Sequence, residues 1–125
     1  MKVLLVAQHD RLRQVLRDII EDLDMDVVDA AWANDALTAL QSHNVAGVVV
    51  DIMGPRHDGL HFLEEYEQLA YRAPVLALTP GERSRQTALN LGARICLSKP
   101  FDLTEFTAAL NSILGLQQEQ IGETG

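Results

Sequence analysis

The chain has 125 residues, 47% of them hydrophobic, with ten basic side chains against eighteen acidic ones and a formal net charge of −8. That length and apolar content suit one domain with a real core and exclude a disordered chain. The acidic balance argues against a duplex-binding face, which needs clustered Lys and Arg, so no direct nucleic-acid binding is expected.

Cys96 is the single cysteine, which rules out an internal disulfide and argues against a Cys-based zinc site. The N-terminus carries no basic segment followed by a long apolar run, and no apolar stretch is long enough to span a bilayer. A protein of the cytoplasm with no membrane association is therefore expected.

Short apolar runs alternate with helical patterns along the chain. Residues 3–6 form the first run, and Leu12, Val15, Leu16, Ile19, Ile20 and Leu23 then recur at helical spacing. Asp10 stands where an N-cap is expected. Residues 27–31 predict a second, weaker strand, after which Asn34 can cap a short helix carrying Leu37 and Leu40. Residues 45–50 give the strongest strand signal, continuous and β-branched, ending at Asp51. Such runs suit strands buried on both faces of a parallel sheet.

The stretch GPRHDG, residues 54–59, predicts a loop. A helix follows from about Leu60 to Tyr71, then a fourth strand over 74–78 ending at Thr79. The helix over 82–91 has the weakest apolar stripe, with Gly92 placed as its C-terminal cap. The fifth strand, 95–98, ends at Lys99 and Pro100. The segment Asp102-Leu-Thr-Glu105 resembles a capping box and opens a last helix with Phe106, Leu110, Ile113 and Leu114 on one face. One domain over 1–114 is expected, with 115–125 as a polar tail or linker.

Five strand–helix units in strict alternation predict an α/β fold of three layers, a flavodoxin-like (βα)5 with parallel strand order 2-1-3-4-5. Ligand sites in such sheets lie at the carboxyl ends of the strands, near the switch between strands 1 and 3. Strand 1 there delivers Ala7 and Gln8, strand 3 Asp51, strand 4 Thr79 and strand 5 Lys99. Each alone has a bland explanation: a strand-end cap, a turn residue, a solvated charge. Together they bring a carboxylate, a hydroxyl and an ammonium to one rim. A carboxylate can accept a phosphoryl group as an acyl phosphate, and Lys and Thr can hold its oxygens.

The segments VVVDIMGPRHDGL (48–60), APVLALT (73–79) and LSKPF (97–101), together with this alternation, resemble a response-regulator receiver domain, the phosphoacceptor half of two-component signalling, over residues 1–114. The resemblance implies a non-enzyme of the phosphorelay. In it Asp51 is the phosphoacceptor, Thr79 the hydroxyl that follows the phosphoryl group, and Lys99 the lysine that contacts it. Pro55 with Asp58 and Gly59 matches the segment after the acceptor, and a cis peptide is expected before Pro100. Implied partners are a histidine kinase or phosphotransfer protein, and a homodimer through helix 4, strand 5 and helix 5. That face would include Arg83, Arg85, Cys96 and residues 104–111.

The pattern breaks at the metal. The family places two adjacent acids after strand 1 to hold magnesium, where this chain has Ala7 and Gln8. Ala supplies no ligand and Gln one neutral oxygen, whereas magnesium prefers anionic oxygens in octahedral array. Asp51 and Met53 remain as metal candidates, and a chain shift would be needed to recruit His9 or Asp10. The expectation is no cofactor or weak magnesium, with Asp51 paired to Lys99 instead. The alternative is a phosphorylation-independent pseudo-receiver acting only in protein interaction or dimerisation. Pro80 stands where the family prefers a small residue, and Cys96 where it places a switch aromatic; Cys96 is expected to be plain core.

Rival patterns are weaker. His57-x-x-x-His61 has metal-like spacing but no third ligand. A haloacid-dehalogenase-type phosphatase needs an acid two residues beyond Asp51, where Met53 stands. A dinucleotide or flavin module needs a glycine- or hydroxyl-rich loop after strand 1, and AQHD is neither. Trp32 is expected to pack at a helix edge.

Overall fold

A computed structural model describes residues 1–53 and 58–116. Gly54, Pro55 and His57 of the expected loop, and the tail from residue 117, lie outside the described residues. The strands are β1 (Lys2–Val6), β2 (Asp26–Ala30), β3 (Gly47–Asp51), β4 (Val75–Thr79) and β5 (Ile95–Ser98). The helices between and after them are α1 (Asp10–Asp22), α2 (Ala33–Ala39), α3 (Asp58–Glu67), α4 (Glu82–Asn90) and α5 (Leu103–Ile113). All strand pairs are parallel, in the order β2-β1-β3-β4-β5. This is the expected flavodoxin-like fold.

Alternation along each strand divides the interior into two layers. Val48, Val50 and Ala77 face α2, α3 and α4, where Phe62 and Leu63 pack. Val49, Leu76 and Leu78 face α1 and α5, where Leu16, Ile20, Phe106 and Leu110 pack. Every residue of β3 and β4 is buried, which is why these two strands are the continuous apolar runs of the sequence. Phe62 and Phe106 are fully buried, each contributing about 2–3 kcal/mol of transfer free energy.

The helix starts were mostly set by contacts that sequence spacing does not reveal. Asp10 is not the N-cap of α1: His9 is, its Nδ1 accepting from Leu12 N at 3.3 Å, and Asp10 is the first helical residue. Asn34 does not cap α2 either. It lies inside the helix, and the N-cap position belongs to Trp32, whose side chain makes no capping bond. The missing acceptor comes from α3, where the Asp58 carboxylate accepts a short hydrogen bond from Ala33 N. Trp32 is half exposed rather than packed. Val15, included in the α1 stripe, is also exposed.

The third helix ends at Glu67, not near Tyr71, because Gln68 N and Leu69 N already close the last turn on Glu65 O and Tyr66 O. The ends of α4 and α5 match expectation. Gly92 follows α4 at φ +99°, a conformation that favours glycine. The Asp102 side chain accepts from Glu105 N at 2.8 Å while Glu105 accepts from Asp102 N at 2.9 Å, a complete capping box. Asp102→Ala removes it, and urea unfolding should report a loss of about 1 kcal/mol with an unchanged m-value.

Candidate functional site at the carboxyl edge of the sheet

Register brings the rim residues together. Asp51 on β3 pairs with Leu78 on β4, Leu78 with Leu97 on β5, and Thr79 with Ser98. Adjacent strands lie about 4.8 Å apart, so Asp51, Thr79 and Lys99 all stand at one edge. Backbone bonds tighten it: Ile52 N donates to Leu78 O at 2.8 Å and Lys99 N to Thr79 O at 2.8 Å. The Lys99–Pro100 peptide is cis, as expected.

Asp51 and Lys99 share side-chain parity with Val49, Leu78 and Leu97. The long Lys99 side chain reaches across β4, and its Nζ lies 2.5 Å from Asp51 Oδ1. The Asp51 side chain is 0% exposed and that of Lys99 27%. This is a close ion pair, yet neither carboxylate oxygen has a hydrogen bond of ordinary geometry among the described residues. Thr79 is fully buried and its Oγ1 likewise has no hydrogen-bond partner there. Buried polar groups left unpaired are uncommon and mark sites kept for something other than stability. The structure thus joins Asp51 to Lys99, while Thr79 ends β4 at the same edge, one residue beyond Leu78, which pairs with Asp51.

Ala7 forms the neighbouring wall. It is 1% exposed and its N–H donates to Ala30 O at 3.0 Å, extending the β1–β2 pairing. Gln8 is half-buried. Arg13, one turn into α1, was not foreseen: its Nη1 donates to Ala7 O at 2.9 Å and its Nη2 to Asp10 Oδ1 at 2.9 Å. Its Nε also lies 3.6 Å from Asp29, which Arg17 holds at 2.9 Å. The signal was an arginine three residues after Asp10 at the start of a helix.

The magnesium site implied by the resemblance does not fit these residues. The charge of Asp51 is balanced by Lys99, Ala7 offers a methyl group, and Arg13 adds a cation against the Ala7 carbonyl. Asp10 is turned to Arg13 with its side chain 90% exposed, and His9 is spent on the helix cap. Met53 is half exposed and offers only a thioether, a soft donor ill-matched to magnesium. Among the described residues no three His, Cys, Asp or Glu side chains are placed to share a metal.

The other expected features divide. Cys96 is buried, and burial pushes its thiol above the ordinary range against the opposing pull of Arg85. A protonated thiol is a poor nucleophile. Cys96 therefore belongs to the core and not to an exposed α4–β5–α5 face. Arg85 Nη1 donates to Cys96 O at 3.0 Å, fastening α4 to β5. His61 is exposed on α3, and its expected partner His57 lies outside the described residues. No helix among the described residues is long and apolar enough to cross a membrane.

Comparison with known proteins agrees with this geometry. The family model for the response regulator receiver domain matches residues 3–111. A CpxR homolog of Haemophilus influenzae, named a transcriptional regulatory protein, is 36% identical over 117 residues, 90% of this chain and 50% of its own length. Response regulator Rre1 of Synechocystis is 36% identical over 123 residues, 93% of this chain and 52% of its own. The chain spans about half the length of the curated relatives it matches. In fold it is similar to the Francisella response regulator 1452 receiver domain, with a TM-score of 0.81 at 24% identity, covering 91% of this chain and 96% of that one. It is also similar to the receiver domain of the Pseudomonas aeruginosa sensor histidine kinase PA1611, solved with magnesium in its active-site cleft. That pair has a TM-score of 0.80 at 24% identity, over 91% and 97% of the two chains. With the rim residues, the strand order and the family match in agreement, this chain belongs to the response regulator receiver domain family of two-component systems.

Proposed function

We propose that this domain is a receiver whose Asp51 accepts a phosphoryl group with little or no dependence on magnesium, and which signals by binding a partner. The observation that carries this reading is the buried Asp51 carboxylate, held by Lys99 at 2.5 Å beside the uncharged wall of Ala7. In the step itself, an Asp51 oxygen attacks phosphorus and forms an acyl phosphate while the donor's leaving group departs with its bonding electrons. Lys99 then offsets charge on the new phosphoryl oxygens, and the unpaired Thr79 hydroxyl has a hydrogen bond to donate. The donor would be a histidine kinase or phosphotransfer protein. The α4–β5–α5 face, with Arg83 and Leu103 exposed, would carry the output or a homodimer.

The complete burial of the Asp51 side chain favours a second reading, a pseudo-receiver that is never phosphorylated and serves only in protein interaction. Incubation with a small acyl-phosphate donor, with and without magnesium, separates the two by intact mass. The first reading expects a slow phosphate adduct at a rate indifferent to magnesium, absent from Asp51→Asn. No adduct under either condition selects the pseudo-receiver, and a fast adduct only with magnesium contradicts both.

A further inference from the structure

In the resting domain Lys99 is a counter-ion, with its Nζ 2.5 Å from Asp51 Oδ1. The same contact brings an amine close to a carboxyl carbon, because Asp51 Cγ is one bond beyond that oxygen. Amine and carboxylate do not combine while the carboxylate is ionised, since it offers no leaving group. An acyl phosphate at Asp51 would remove that barrier. It is an activated carbonyl whose leaving group is phosphate.

Two features of this site favour the amine over water as the attacking group. The Asp51 side chain is 0% exposed, and Ala7 in the neighbouring wall is 1% exposed, so water reaches the carbonyl carbon poorly. Lys99 is already in place: its backbone N–H donates to Thr79 O at 2.8 Å, and its side chain crosses β4 to Asp51. Well-oriented groups in one molecule reach effective molarities of about 10⁵–10⁸ M. A free lysine amine is uncharged in roughly one molecule in a few thousand at pH 7, a penalty smaller than that gain. Asp51 is also the ion-pair partner of Lys99 among the described residues. Phosphorylation removes the carboxylate charge and leaves phosphoryl oxygens as the base for the Lys99 protons.

Resting on the phosphorylation of Asp51 proposed above, we propose that the site has a second outcome, in which Lys99 Nζ attacks Asp51 Cγ and forms an intramolecular amide. The N–C bond forms as the bond from Cγ to the bridging oxygen breaks. Phosphate departs with the bonding electrons and the bridging oxygen. Two protons of the ammonium pass to it, so that it leaves as dihydrogen phosphate. No reactant beyond the phosphodonor is needed. The protein ends one water lighter than the parent, with β3 tied covalently to the end of β5 across β4. The acceptor is then withdrawn from further transfer, and the ion pair is replaced by a permanent mark.

The test incubates the whole chain with acetyl phosphate and follows intact mass, with hydroxylamine added to a portion of each sample. The native chain should show a phosphate adduct and then a species lighter than the parent by one water. Hydroxylamine should strip the adduct and leave the lighter species unchanged, because it cleaves acyl phosphates and spares amides. Fragmentation should join the peptides that carry Asp51 and Lys99. Lys99→Arg keeps the positive charge without a nucleophilic amine, and should form the adduct but no lighter species. Asp51→Asn should form neither. A native adduct that hydroxylamine returns wholly to parent mass, with no lighter species at any time, overturns the cross-link and leaves phosphorylation standing. Absence of both species overturns phosphorylation and the cross-link with it. A water loss that persists in Lys99→Arg would assign the attack to a backbone amide and also overturn the proposal.

Discussion

Lys99→Met should destabilise the domain by about 3 kcal/mol, because it leaves the fully buried Asp51 carboxylate without its counter-charge. The size of the effect follows from an asymmetry. A buried pair adds little net stability while intact, since desolvation offsets most of the attraction, but removing one partner exposes the whole penalty of the other. Asp51→Asn alone should cost far less, as it removes a charge and keeps the shape. In the double variant, Asp51→Asn with Lys99→Met, much of the loss should return, giving a coupling of about 1–3 kcal/mol in a double-mutant cycle from urea unfolding. A Lys99→Met loss within about 0.5 kcal/mol, the level of an exposed surface pair, would show that the ion pair does not hold Asp51.

The second large effect runs the other way, toward gain of a metal site. Replacing Ala7 and Gln8 with Asp adds two carboxylates beside Asp51, supplying the anionic oxygens that magnesium requires. In the metal-free variant these charges sit against a wall that is 1% exposed at Ala7, and stability should fall by about 2–4 kcal/mol. Magnesium should restore it, by about 2.7 kcal/mol at a concentration a hundredfold above the dissociation constant. Thermal unfolding of the variant should thus rise with magnesium while the parent stays flat. A parent whose midpoint rises as steeply would remove the reason for singling out Ala7.

The contrast between what the sequence announced and what it hid is physical. Asp51, Thr79 and Lys99 were legible because each ends a continuous apolar run, and parallel register carries run-ends to one edge. The capping box at Asp102 and Glu105 was legible because its partners are three residues apart. The contact of Asp58 with Ala33 spans 25 residues and two helices, so no local pattern contains it; Asn34 looked like the cap because its acceptor was the nearest one. His9 displaced Asp10 for a different reason. Both can accept a bond from the helix start, and the Asp10 carboxylate had a stronger partner in Arg13. Arg13 also opposes the use of Asp10 as a metal ligand, since recruiting it would break the pair and turn an exposed side chain inward.

The same reasoning accounts for the pairing of Asp51 with Lys99 at the rim. With Ala7 in the neighbouring wall, Lys99 is the ion-pair partner of Asp51 among the described residues. Two acids there would compete for Lys99 and call for a cation. The resting state is therefore an internally neutralised one, and the step that alters it must break or replace the ion pair.

Magnesium titration of the native chain, read from the amide shifts of Val50, Asp51 and Lys99, tests this most directly. A neutralised rim predicts small, linear changes with no plateau through roughly 10 mM, as expected when a single paired carboxylate is the sole anionic donor. Saturation below about 1 mM would mean that a cation displaces Lys99 from Asp51, and the pairing described here would not be what holds the site.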